Sequence, residues 1–173
     1  MRILQRWGRD TSGATAIEFG FVALPFFMFM FGIIALGLYF FVSFSLENAV
    51  ERSARMVRTG QAQTAGMTTD QFKIQVCSDL PNFSDCASNL RVNVIAASAF
   101  DGFAEPECID GTGQLMAEAT PSAVPGSAGE VVLITACYEW ELAAIFPFLK
   151  LGNMANGSAL IRASTTFRTE PYQ

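Results

Sequence analysis

Residues Phe19–Phe44 read FGFVALPFFMFMFGIIALGLYFFVSF, 26 residues without a charge. They hold nine of the chain's sixteen phenylalanines, and no charged residue occurs between Glu18 and Glu47. As a helix the run is ~39 Å long, enough to cross a ~30 Å hydrocarbon core with some tilt. Pro25 lies inside it and should kink the helix or open one turn. A cleaved secretory signal fits less well, because its apolar core is about half as long. The small-x-small site Ala35-Leu36-Gly37 lies inside the run, with Leu38 to Val42 still to come. The segment therefore reads as a retained single-pass anchor.

The flanks suggest an orientation. Residues 1–13 carry Arg2, Arg6 and Arg9 against Asp10. From Glu47 onward 8 basic residues face 14 acidic ones. The positive-inside bias puts the N-terminus in the cytoplasm and the larger part outside, although Arg52, Arg55 and Arg58 reduce the contrast.

The whole chain has 173 residues, 51% hydrophobic and only 16% charged, with a net charge of −5 and mean hydropathy +0.32. These values exclude a disordered chain, a basic nucleic-acid binder and an ordinary cytosolic enzyme domain. With no histidine, His-based triads, the usual zinc sites and His general bases are all absent. There is no G-x-S-x-G elbow either, so an anchored hydrolase is disfavoured. Neither an enzyme, a cofactor, a metal site nor a small-molecule substrate is expected. Four cysteines, Cys77, Cys86, Cys108 and Cys137, suit an exported domain with disulfides. Three pairings are possible. Sequence proximity around a turn-rich segment favours 77–86, which leaves 108–137.

Beyond the run, Leu46, Ala49, Val50, Ser53, Ala54 and Val57 share one helical face. Glu47, Glu51, Arg52, Arg55 and Arg58 cover the other, and Gly60 is a plausible stop. The helix should thus have an apolar half for lipid and an amphipathic half that packs on something, with a subunit contact as its second use. Thr68-Thr69-Asp70 reads as an N-cap for a short helix ending at Pro81. Strands are expected at Leu90–Ala96, Val131–Trp140 and Ala159–Arg168, with a long irregular loop over 101–130. The expected fold is α+β: one long N-terminal membrane-spanning helix whose outer half packs on a small antiparallel sheet. The divisions are residues 1–13 as leader, 14–45 as span, 46–60 as amphipathic extension and 61–173 as outer domain.

The segment Gly13-Ala14-Thr15-Ala16-Ile17-Glu18-Phe19 carries the functional signal. A lone carboxylate at the mouth of an uncharged span is a functional residue by default, unless it is simply hydrated at the interface and favourable to the helix N-terminus. Small residues around a Gly, basic residues before it and Glu five residues after it resemble the class III signal of type IV prepilins. Adding Leu24-Pro25, Leu46-Glu47-Asn48-Ala49, Ala54-Arg55 and Phe72-Lys73 before Val76-Cys77, the chain looks like the TadE-like family. So do the C-terminal pieces Tyr138-Glu139-Trp140, Gly152-Asn153-Met154 and Phe167-Arg168-Thr169-Glu170-Pro171-Tyr172. These are minor pilins or pseudopilins of the tight-adherence (Flp/Tad) type IVb pilus. The family's major pilins are very short and usually have Tyr where Phe19 stands, so the resemblance favours a minor pilin.

The resemblance implies cleavage between Gly13 and Ala14 by a membrane prepilin peptidase. Glu18 would then pair with the new ammonium of a neighbouring subunit, with Phe19 beside it in assembly. It implies a pilin-like fold, an inner-membrane location and a periplasmic domain, with the chain either staying there or entering the extracellular fibre. The implied partners are the peptidase, other minor and major pilins, an assembly ATPase and a membrane platform, in pilus assembly, adherence and secretion. The rival is a signal-anchored periplasmic binding or sensor domain, uncut at Gly13 and with the 101–130 loop as its site. Asp101, Glu105, Glu107 and Asp110 read as a solvated acidic loop, since EF-hand spacing is absent. Tyr138, Trp140, Phe146 and Phe148 read as core, with an exposed docking patch as the alternative.

Overall fold

The computed structural model describes residues 12–80, 85–101 and 103–172. The leader expected at 1–13 lies almost wholly outside them, as does Pro81. The chain divides into two units between Leu38 and Tyr39.

Helix α1, Ser12–Arg58, contributes to both units and carries on through Pro25 without interruption. In the first unit its surface is apolar and exposed almost all round: Phe19 is 71% and Phe21 78% accessible. Phe27 meets Phe26 edge-on at 5.5 Å and stacks on Phe31 at 6.2 Å. A helix apolar on every side and uncovered needs an apolar medium. This one is long and apolar enough to cross a membrane.

In the second unit α1 becomes one-sided. Val42, Leu46, Ala49, Val50, Ser53, Ala54 and Val57 are buried, at the spacing expected of one face. Arg55 and Arg58 in the last turn suit the negative end of the helix. Gly60 stops it with φ 76, and a Cβ there would run into the Tyr172 ring. A single turn, α2 (Gln61–Thr64), follows. Helix α3, Thr69–Ser78, opens on a capping box. The Thr68 hydroxyl accepts from Gln71 N at 3.3 Å, and Gln71 Oε1 accepts from Thr68 N at 2.9 Å. A further turn, α4 (Cys86–Asn89), leads into the sheet.

The sheet is antiparallel with order β1-β2-β3: β1 Leu90–Ala97, β2 Val131–Trp140 and β3 Ala159–Arg168. The register puts Ile134 between Val94 and Thr165, and Ala136 between Val92 and Ala163. One face therefore carries Leu90, Val132, Ile134, Ala136, Tyr138, Trp140, Ala159, Ile161 and Ala163, which form one core with the buried stripe of α1. The expected α+β architecture, a long apolar helix plus a small antiparallel sheet, is what the structure shows.

The other face is buried as well. Val131, Leu133, Thr135 and Cys137 on β2 are nearly inaccessible. The long 101–130 segment is irregular, as expected, but it is a cover for this face. Cys108 is bonded to Cys137 across it, with Cα atoms 5.6 Å apart. Arg162 Nη2 on β3 donates to Pro106 O at 3.0 Å and pairs with Glu105 at 2.9 Å. Arg91 Nε on β1 donates to Met116 O at 3.0 Å. The segment then runs to α3, where Thr69 N donates to Ser122 O at 2.8 Å and Val124 N to Met67 O at 2.9 Å.

The C-terminal tail closes the second unit. Thr169 N donates to Glu130 O and Glu170 N to Arg58 O, both at 2.8 Å. The Tyr172 hydroxyl donates to Gly126 O. The connection from β2 to β3 is two 3₁₀ turns, Glu141–Ile145 and Pro147–Leu149, followed by a tight turn. In that turn Asn153 Oδ1 accepts from Leu160 N at 2.8 Å.

Candidate functional site

The helix junction is built by α1 alone. Its first described residue, Ser12, is already helical, so Gly13 and Ala14 lie in the first turn. Gly13 is exposed, with nothing within 4 Å of where a Cβ would stand. The peptide between Gly13 and Ala14 is thus open on the Gly side. Glu18 sits one turn beyond Ala14, at i+4, so the two backbone positions share a helical face about 6 Å apart along the axis. Glu18 is exposed and makes no salt bridge with any described residue. Phe19 and Ile17 flank it, both exposed. From there to Phe44 no further charge is available to Glu18 on its own helix. Among the described residues Glu18 therefore has no ion-pair partner.

The four cysteines come together in two pairs, Cys77 with Cys86 and Cys108 with Cys137, and none is free. The first pair ties the end of α3 to α4. The second fixes the cover over β2.

The acidic residues of the 101–130 segment do not converge. Among the described residues no group of three or more His, Cys, Asp or Glu is placed to hold a metal. Glu105 is taken by Arg162. Asp110 holds a turn, accepting from the Thr112 hydroxyl at 2.7 Å, Thr112 N at 2.8 Å and Gln114 N at 3.0 Å. The Thr112 hydroxyl, then Gln114 N, lowers its carboxyl below the ordinary value. A cleft of about 150 Å³ lies between this segment, α3 and β1. Its buried cation, Lys73, is bonded to Glu118. That bond lowers the Glu118 carboxyl. The other cation lining it, Arg91, donates to Ser88 O, Leu90 O and Met116 O. These groups are spent on holding the cover down, so the cleft presents a seam and not a charged ligand site.

The aromatic cluster divides. Tyr138 and Trp140 are core, and Trp140 meets Tyr39 edge-on at 5.7 Å. Phe148 is half exposed, in ring contact with Phe146 at 6.3 Å.

With this geometry in view, the TadE-like protein family model matches residues 13–55. Over this segment the chain is similar to TadE-like proteins. The match begins at Gly13, includes Glu18 and the whole apolar run, and ends inside the stripe that packs on the sheet. It bears out the resemblance carried by the junction and the apolar run. No curated protein and no solved structure matches the chain.

The C-terminal pieces lie outside the matched segment and have structural work. Glu139 accepts from Asn156 Nδ2 at 2.6 Å, Asn153 turns the chain into β3, and Thr169 and Tyr172 close the far end. Sequence reading missed the second buried face of the sheet. Its signal was present, since Val131 to Cys137 contains no charge and does not alternate.

Proposed function

We propose that the protein is a minor pilin, or pseudopilin, acting in assembly of a type IVb tight-adherence pilus. In this reading residues 1–13 are a cytoplasmic leader, 14–45 the span in the bacterial inner membrane, 46–60 the packed extension and 61–173 a periplasmic domain. A prepilin peptidase cuts between Gly13 and Ala14. The chain then joins or primes a helical bundle with other pilins on the assembly platform, as a structural subunit without catalysis or cofactor.

The observation that carries the reading is the match that starts at Gly13, on a helix whose apolar run is exposed and whose one charge before Glu47 is Glu18. Cleavage creates an ammonium at Ala14. A carboxylate or an ammonium left unpaired in a low-dielectric bundle costs several kcal/mol. Pairing Glu18 of one subunit with Ala14 of the next removes that cost and selects one axial register. Supporting this, Glu18 has no charged partner among the described residues.

The test is the intact mass of membrane-extracted protein made with and without the native prepilin peptidase. Loss of residues 1–13 only when the peptidase is present supports the proposal. An uncut chain in both samples overturns it, leaving a signal-anchored binding or sensor domain. In the same strains Glu18→Ala should still be cut and should fail to support pili. Normal piliation would refute the pairing.

A further inference from the structure

We propose that the connection between β2 and β3, residues 141–150, is a second membrane contact. Leu142, Ile145 and Phe148 enter the boundary between headgroups and acyl chains of the bilayer that α1 crosses. The inference rests on reading α1 as a membrane span.

Outside α1, six large apolar residues of the second unit are exposed among the described residues: Ile74, Phe100, Met116, Leu142, Ile145 and Phe148. Three of the six fall within 142–148, with accessibilities of 37%, 64% and 49%. Such clustering marks an interaction surface, whereas single exposed apolar residues are ordinary.

Position identifies the partner. β2 has ten residues and extends for about 30 Å. Its first residue, Val131, lies at the end where Glu170 N meets Arg58 O. Its last, Trp140, meets Tyr39, the first residue of the second unit. The 3₁₀ turns therefore begin beside Tyr39, at the end of the sheet opposite Val131. Around Tyr39 the outward surface of α1 is itself apolar, with Phe40, Phe41 and Phe44 exposed and Glu47 the first charge. Phe44 lies about 8 Å further along the axis than Tyr39. If lipid reaches Phe44, it reaches the level of Tyr39 and Trp140, from which the turns begin.

The segment is built for this depth. Its turns satisfy their own backbone: Phe146 N donates to Ala143 O at 3.1 Å, Leu149 N to Phe146 O at 3.0 Å and Lys150 N to Pro147 O at 3.3 Å. Unpaired amides, which lipid penalises, are thereby reduced. Ala143 is buried and fastens the turn to the core, while Glu141 and Lys150 bracket the apolar residues with charge.

The test uses full-length protein in nanodiscs of phosphatidylethanolamine and phosphatidylglycerol. p-Benzoylphenylalanine replaces Phe148, Phe29 in mid-span or Phe100 beyond the opposite end of the sheet, one at a time. All three side chains are exposed, so each site accommodates the probe. After irradiation, peptides are weighed for added lipid. Lipid adducts at positions 29 and 148 but not at 100 support the proposal. An adduct at 29 without one at 148 overturns it and leaves the span intact. No adduct at 29 overturns both. A crosslink from 148 to a second polypeptide overturns it in favour of a subunit contact.

Discussion

Replacing Cys108 and Cys137 together by alanine should cost the outer unit more stability than replacing Cys77 and Cys86. The two bonds span 29 and 9 residues. In the chain-entropy description, bonds of these spans remove about 3.6 and about 2.6 kcal/mol of freedom from the unfolded chain. The longer bond also has a packing role, since it holds the 101–130 cover on Val131, Leu133 and Thr135. Two arginines still pin that cover after the bond is lost, Arg162 at Pro106 and Arg91 at Met116. The fold should therefore survive with a loosened back face. The assay is urea unfolding of the full-length protein in nanodiscs, in a Trp7→Phe background so that Trp140 reports alone. At a slope of ~1.5–2 kcal/mol per molar urea, the 108–137 variant should lose about 2 M from its midpoint. The 77–86 variant should lose about 1.5 M. Equal losses, or a loss below ~1 kcal/mol for the 108–137 pair, would refute the reasoning.

Three further outcomes can be checked in the same background. Leu46→Ala, in the fully buried stripe of α1, should cost about 2–5 kcal/mol in urea unfolding, whereas Phe44→Ala on its exposed side should cost far less. Gly60→Ala combines a left-handed φ with a collision against Tyr172. It should cost about 1–3 kcal/mol, and removing the ring as well, by Tyr172→Ala, should restore part of it. Glu118 has its carboxyl lowered by the bond to Lys73, so its contribution is complete above its unfolded value and lost as pH falls through the lower folded one. Hydrogen exchange in residues 116–124 should therefore rise on acidification below the ordinary carboxylate range, and Lys73→Met should abolish that dependence.

Periodicity carried most of the architecture. The stripe Leu46, Ala49, Val50, Ser53, Ala54, Val57 was legible because a helix buried on one side must repeat near 3.6 residues. The three strands and the N-cap at Thr68 were legible for equally local reasons. The cover over the second face was not. An irregular segment has no period, and its attachments are made over long sequence distances, such as Arg162 to Pro106. The 3₁₀ turns at Glu141–Ile145 and Pro147–Leu149 were missed because apolar residues there look like core, although Ile145 and Phe148 face outward. At the junction the residues themselves were legible, but the partner of Glu18 is not supplied by any described part of the chain.

The side chains of α1 between Tyr39 and Glu47 meet two solvents at once. Val42 and Leu46 point into a dry protein core, while Phe40, Phe41 and Phe44, on the same two turns, are uncovered. Water is a poor solvent for three exposed phenylalanines, each worth roughly 1.5–3 kcal/mol on burial. These residues belong to the second unit, packed into it through Tyr39, Val42 and Trp140. That unit therefore exposes an apolar surface of its own on α1. Charge begins only at Glu47, after the first packed turns.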